Sequence, residues 1–305
     1  MRVFVQYPEG LKNKLWEIKK KLEEQGYEVI FDNEPTYGFC DLKDDEALRL
    51  GCQAIIHIGH NAFGFEHLLK KSKVKVIIWE WKYDVDKEKV DRILKKEINK
   101  IRDYKRVGIV SSLQYLNYVY YLKEKLKELG FEPIVPKNPQ ILGCNIANAR
   151  IIENRVDIFL VPTEGKFYPL GLALETDKPV FAFDLEKEQI ISMEKERKKY
   201  LTVKYYYLEK FKEAKKVALL VSWKKGQMFY DPFKVKEELE KMGKEVIILA
   251  MDEVDERKLI GIDVDFYINL ACPRIFDGFE RFEKPILNWK DIIQWRRSLH
   301  QSSED

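Results

Sequence analysis

Three of the four cysteines in this 305-residue chain stand in loops where a metal could use them. Cys40 closes the run Tyr37-Gly38-Phe39-Cys40, and Cys144 closes Gln140-Ile141-Leu142-Gly143-Cys144. They lie 104 residues apart, and each comes fourteen residues after a glycine that ends a helical pattern, Gly26 and Gly130. Cys272 sits in Ala271-Cys272-Pro273-Arg274. Thiolates select soft metals and iron–sulfur clusters. No C-x-x-C pair occurs, which excludes a zinc ribbon or a sequential cluster motif. Three distant thiols suit a [4Fe–4S] cluster gathered by the fold, with one iron left open, as a catalytic zinc keeps one position open. Gly38 and Gly143 would let the backbone approach a bulky inorganic group, and Pro273 would stiffen the third loop. The fourth cysteine, Cys52 in Leu50-Gly51-Cys52-Gln53, reads as a small buried apolar residue.

The elements that must position these thiols are written three times. Each unit opens on a strand, an amphipathic helix, a glycine at the helix C′ position and a second strand. The first strands fall at 3–7, 107–111 and 217–221, the first helix at about 11–25, and the glycines are Gly26, Gly130 and Gly243. Third and fourth strands follow at 54–58 and 74–78, 157–161 and 179–183, and 265–269 and 285–289. Short apolar runs of this kind belong to parallel sheets covered on both faces. The expected fold class is α/β, with three pseudo-repeated Rossmann-like domains, each a small parallel sheet flanked by helices. Their expected bounds are 1–100, 101–200 and 201–305, joined by charged linkers of helical pattern near 88–104 and 186–215.

Ligands of open α/β sheets gather outside the carboxyl ends of the strands. Cys40 and Cys144 follow the second strands of their units. Cys272 follows the third strand of its unit, where the first two units carry His60 and Glu164. Domains meeting edge to edge about a pseudo-threefold axis would bring one thiol from each to a central cluster site.

Composition narrows the partners. The 54 basic and 51 acidic side chains nearly cancel, so no global field favours nucleic acid or a membrane surface. A Lys- and Glu-rich surface is common in thermophiles. No stretch has the roughly 18 uninterrupted apolar residues of a membrane span. The opening run Met1-Arg2-Val3-Phe4-Val5 reads as a strand at once and leaves no room for a signal peptide, so the expected compartment is the cytoplasm. There is no P-loop, no G-x-G-x-x-G and no G-x-S-x-G elbow.

Five segments together resemble a known family: Pro8-Glu9-Gly10-Leu11, Tyr37-Gly38-Phe39-Cys40-Asp41, His57-x-Gly59-His60, Gln140-Ile141-Leu142-Gly143-Cys144 and Ala271-Cys272-Pro273-Arg274-Ile275. Their series is similar to that of the archaeal diphthamide-synthesis radical enzymes, over about residues 3 to 290. The resemblance implies a homodimer of three-domain chains and a [4Fe–4S] cluster held by Cys40, Cys144 and Cys272. It implies S-adenosylmethionine as co-substrate at the open iron and an electron donor. It also implies transfer of the 3-amino-3-carboxypropyl group to a histidine of translation elongation factor 2, the first step of diphthamide formation. Cys52 lies outside the family pattern.

Candidates for co-substrate binding are Glu9 and Gly10, His60, and Glu164 and Gly165. The first pair opens a helix whose amides could hold a carboxylate, and the others stand at strand ends. Residues 165–174 contact cofactor or pack a helix start. His57, within an apolar strand, reads as a satisfied core histidine. Tyr115, Tyr118, Tyr120 and Tyr121 share helical spacing, as a packing or dimer face. Tyr205-Tyr206-Tyr207 reads as an interface or short linker strand, and the polar tail 296–305 as frayed. Two other readings compete: a quinolinate-synthase-like dehydratase using a three-cysteine cluster as a Lewis acid, and a non-catalytic small-molecule-binding module.

Overall fold

The computed structural model describes the backbone of residues 1–301 and side chains through Ser298. Three sheets carry the chain. The first contains β1 (Arg2–Gln6), β2 (Glu28–Phe31), β3 (Ala54–Ile58) and β4 (Lys75–Trp79), all parallel, in the order β2-β1-β3-β4. The second contains β5 (Arg106–Ile109), β6 (Glu132–Ile134), β7 (Ile158–Thr163), β8 (Val180–Asp184) and β9 (Gln189–Ser192). Its order is β6-β5-β7-β8-β9, with β9 antiparallel at the edge. The third, β10 (Lys216–Ser222), β11 (Glu245–Met251), β12 (Phe266–Asn269) and β13 (Ile286–Asn288), repeats the first in the order β11-β10-β12-β13. The expected α/β class with three repeated sheets is what the chain forms, the sheets being parallel except for the added edge strand β9. The first compact unit, Met1–Arg197, holds the first two sheets, and the second begins at Lys198 and holds the third.

The repetition reaches individual hydrogen bonds. Gly26, Gly130 and Gly243 all end helices at φ near +80°, namely 82°, 87° and 79°, where a β-carbon would be strained. The amide after each reaches back five residues to close the helix: Tyr27 to Leu22, Phe131 to Leu126 and Lys244 to Leu239. The residue before each third strand then hooks the start of the first strand. Gln53 Oε1 accepts from the amide of Arg2 at 2.8 Å. Asp157 Oδ2 accepts from Lys105 and Arg106, and Asp265 Oδ2 from Lys215 and Lys216. The Arg106 guanidinium and these amides hold the Asp157 carboxyl down at about 2.

Alternation along β1 and β3 splits the first core in two. Val3, Val5, Ile56 and Ile58 pack on the helix Leu15–Glu23, while Phe4 and Ile55 face Phe39, Ala47, Phe65 and Leu68. Cys52 is buried in this second cluster, at 2 % exposure. Several elements differ from expectation. The first helix opens as a 3-10 turn, Glu9–Lys14, before becoming α-helical at Leu15. The expected linker at 186–215 is a helix only over Glu194–Glu213. Its start is the edge strand β9, whose Ile190 inserts into the core after a turn with Glu188 at φ 50°. Two isoleucines among charges are too short a signal to read as a strand.

Tyr205–Tyr207 lie inside that helix, not in a strand, and Tyr207 packs on Phe266, Phe276 and Phe279. Tyr115 and Tyr118 are core residues, whereas Tyr120 is exposed. The tail expected to fray continues as the helix Trp289–Gln301, and its part at 302–305 lies outside the described residues. Among the described residues no helix is long and apolar enough to cross a membrane.

Candidate metal centre

Cys40 is the middle residue of a 3-10 turn, Phe39–Asp41, and is half-buried. The last residue of β1 fixes this turn. Gln6 is fully buried; its Nε2 donates to the carbonyl of Asp41 at 2.8 Å, and its Oε1 accepts from the amide of Lys43 at 3.1 Å. Lys43 in turn pairs with Asp32, at the end of β2, at 2.8 Å, with both side chains almost out of water. The backbone just after the thiol is therefore clamped by a buried amide that rests on a buried ion pair. Gly38 is extended, and a β-carbon there would stand 3.6 Å from Cys40 Sγ. The missing side chain leaves that flank of the sulfur open.

Cys144 sits in a two-residue turn. Leu142 and Asn145 exchange backbone bonds of 2.9 and 3.3 Å across Gly143 and Cys144, and the cysteine is exposed at the tip. The turn is tied to the ends of two sheets. Ile141 donates to the carbonyl of Ser111 after β5, and Asn148 donates to the carbonyl of Gln140. The Gln140 and Asn61 side chains bond reciprocally, at 2.9 Å each way, which joins this loop to the end of β3. Leu142 packs on the same apolar cluster as Cys40, and a β-carbon on Gly64 would lie 2.9 Å from Asn145 Nδ2. The loops of Cys40 and Cys144, distant in sequence, are thus brought onto one cluster.

Cys272 follows β12 and caps the 3-10 segment Pro273–Arg281. Asn269, the last residue of β12, donates to the carbonyl of Cys272 at 2.8 Å and accepts from the amide of Ala271. It also donates to Asn288, its register partner at the end of β13, at 2.7 Å, and Asn288 donates to the carbonyl of Pro273. Arg274 and Asp277 form an ion pair within the same segment.

The other candidates fall at strand ends as expected. Gly59 adopts φ 84°, and a β-carbon on it would meet Pro8 at 2.9 Å, so the loop leading into Glu9 and Gly10 lies against the loop leading into His60. Glu9 is exposed and pairs with Lys12 at 2.6 Å, while Gly10 has open space around it. His60 is half-buried and its Nδ1 lies 3.3 Å from Nε2 of the fully buried His57. Burial lowers the pKa of His60 to about 4 and that of His57 well below the usual range, so both rings are neutral at pH 7. Glu164 is exposed and lies near the Tyr115 hydroxyl, whose pKa is pushed up by burial and then by that carboxylate. The Tyr83 ring lies tilted against that of Tyr115, with centroids 5.2 Å apart, and feels the same charge. A carboxylate beside two tyrosine rings suits a cationic group. Gly165 has φ 76° and the helix Phe167–Glu175 starts just after it.

Sequence reading passed over Gln6, Asp32, Lys43, Asn269 and Asn288. A signal existed for three of them: each is a lone amide closing an apolar strand, where an aliphatic residue would continue the pattern. The Asp32–Lys43 pair had none. Among the described residues no three Cys, His, Asp or Glu side chains group as ligands of one metal ion. Thiolates suit the irons of such a cluster, and Cys40 and Cys144 each stand on an anchored loop with some exposure to solvent.

Comparison with known proteins agrees with this chemistry. A model of the diphthamide synthesis protein family matches residues 7–293. The 2-(3-amino-3-carboxypropyl)histidine synthase of Pyrococcus horikoshii is 31 % identical over 95 % of this chain and 84 % of its own length. The enzyme of the same name from Methanocaldococcus jannaschii is 28 % identical over 93 % of this chain and 81 % of its own. The crystal structure of Dph2 from Pyrococcus horikoshii superposes with a TM-score of 0.80 at 30 % identity, covering 95 % of this chain and 84 % of that one. A second structure, of Dph2 with a 4Fe-4S cluster, gives 0.79 with the same identity and coverage. With a family match across nearly its whole length, this chain belongs to the diphthamide synthesis family of 2-(3-amino-3-carboxypropyl)histidine synthases.

Proposed function

We propose that this chain transfers the 3-amino-3-carboxypropyl group of S-adenosylmethionine to a histidine of translation elongation factor 2, by radical chemistry, as the first step of diphthamide formation. The observation that carries the reading is the set of three cysteines at carboxyl-edge loops, in a chain of this family whose relative in Pyrococcus horikoshii is described with a 4Fe-4S cluster. Cys40, Cys144 and Cys272 are the residues that would hold the cluster. When bound, it supplies the electron that splits the sulfonium and an iron without a protein ligand.

The rest is the work of the protein's own side chains. Gln6 and Asn269 fix the backbone beside two of the thiols, so those sulfurs are presented without a search over loop conformers. Glu164, with Tyr83 and Tyr115, is suited to the positive charge of the co-substrate, and His60, Gly165, Glu9 and Gly10 complete the proposed binding set. The apolar cluster of Phe39, Phe65 and Leu142 keeps water from the base of the Cys40 and Cys144 loops. Each sheet is read as one domain, 1–100, 101–200 and 201–305. The chain is read as a cytoplasmic homodimer that draws on an external electron donor.

The test is anaerobic incubation with elongation factor 2, dithionite and S-adenosylmethionine labelled in its carboxyl carbon. Label on one histidine of the factor, with methylthioadenosine released, is the expected result. Unlabelled factor with co-substrate consumed would assign a different acceptor.

A further inference from the structure

His57 is fully buried, and one of its ring nitrogens, Nδ1, has no partner among the described residues. The other, Nε2, faces His60 Nδ1 at 3.3 Å. A neutral imidazole has one proton to place. On Nδ1 it would be a buried N–H with no acceptor, the arrangement that folded proteins avoid most strictly. On Nε2 it donates to His60 and leaves only a lone pair unpartnered. His60 Nδ1 is then an acceptor, and the proton of His60 must sit on Nε2. The described hydrogen bonds engage His60 through Nδ1, which leaves Nε2 on a half-buried ring just beyond the end of β3. The ring of Phe39, next to Cys40, rests 5.0 Å from the ring of His57 and fixes its plane.

We propose that His57 is a positioning residue that sets the tautomer of His60, so that His60 offers a neutral Nε2–H donor to an acceptor atom of the co-substrate. The proposal rests on the reading of this edge as the S-adenosylmethionine site. A donor of this kind needs no change of charge when the ligand arrives, which suits a partner that carries a positive sulfonium. The low pKa of His60 agrees with a ring that stays neutral through the working range.

The chain has only four histidines, so ¹⁵N-histidine labelling of the intact protein gives a readable long-range ¹H–¹⁵N spectrum without any co-substrate. Nε2–H tautomers at both His57 and His60 are expected. His57→Gln retains an amide donor and should keep the His60 tautomer. His57→Leu should release His60 into a mixture. An Nδ1–H tautomer of His60 in the parent protein, or a His60 spectrum unchanged in His57→Leu while the His57→Gln protein also folds, overturns the proposal. The co-substrate arm separates this from the functional reading. His60→Phe should raise KM for S-adenosylmethionine about tenfold, the loss of one hydrogen bond to a charged ligand, with kcat less affected. An unaltered KM beside the expected tautomers would overturn the ligand role and leave the radical-transferase reading standing. Methylthioadenosine, used as a competing ligand, locates the acceptor. Weaker binding of it to His60→Phe puts the acceptor on the nucleoside half, and unchanged binding puts it on the amino-acid half.

Discussion

The first and third sheets share one strand order but carry their thiols in different crossovers. Cys40 comes after β2, in the first sheet's second loop, whereas Cys272 comes after β12, in the third sheet's third loop. The loop after β11 is acidic instead, Asp252-Glu253-Val254-Asp255-Glu256, and the loop after β3 carries His60. A parallel sheet therefore fixes the edge on which a ligand group appears and not the loop that supplies it. What the two sites share is an amide side chain at a strand end that holds a carbonyl beside the cysteine, Gln6 in one and Asn269 in the other. What differs is the support: a buried ion pair behind Gln6, and a neutral amide pair behind Asn269.

Substitutions can break this comparison at several levels. The largest expected effect is on the thiols themselves: Cys40→Ser, Cys144→Ser and Cys272→Ser should each strip most of the iron and sulfide, measured colorimetrically, while Cys52→Ser keeps both. Equal metal content in all four would end the assignment. The ion-pair support comes next. Lys43→Met leaves Asp32 buried without its partner and should cost about 3–5 kcal/mol in denaturant titration. The neutral support should be cheaper, with Asn288→Ala costing about 1–3 kcal/mol. Equal losses would show that charge makes no difference between the two anchors.

Acid should act between these two. The pKa of His60 is about 4 in the fold against 6.5 when unperturbed. Above 6.5 neither state binds the proton, and the neutral ring's contribution is fully present. Between 6.5 and 4 the unfolded chain protonates first, so stability falls as pH falls, by about 3 kcal/mol over that window for this one group. His57, shifted the same way, adds to the slope. Denaturant midpoints from pH 7 to 4.5 should fall less steeply in His60→Gln than in the parent protein, and parallel profiles would assign the acid response elsewhere.

Much of this fold was legible because its signals are local. Short apolar runs located the strands, and Gly26, Gly130 and Gly243 marked the helix ends that their positive φ confirms. The three thiols could be placed at carboxyl edges because that follows from topology alone. The edge strand β9 was hidden because its apolar content is two isoleucines in a charged stretch. The Asp32–Lys43 pair and the His57–His60 contact were hidden for another reason. Each depends on which side chains face one another once the strands are paired, and in the first case the partners stand eleven positions apart in sequence. A buried histidine inside a strand looked like a satisfied core residue, and the structure shows one of its two nitrogens satisfied.

The most direct measurement is on protein purified without oxygen: iron and sulfide content, then dithionite and S-adenosylmethionine, with the nucleoside product identified. The account predicts about four irons per chain and methylthioadenosine as the product. Protein without iron, or an iron-loaded protein that leaves S-adenosylmethionine intact under reduction, would contradict it.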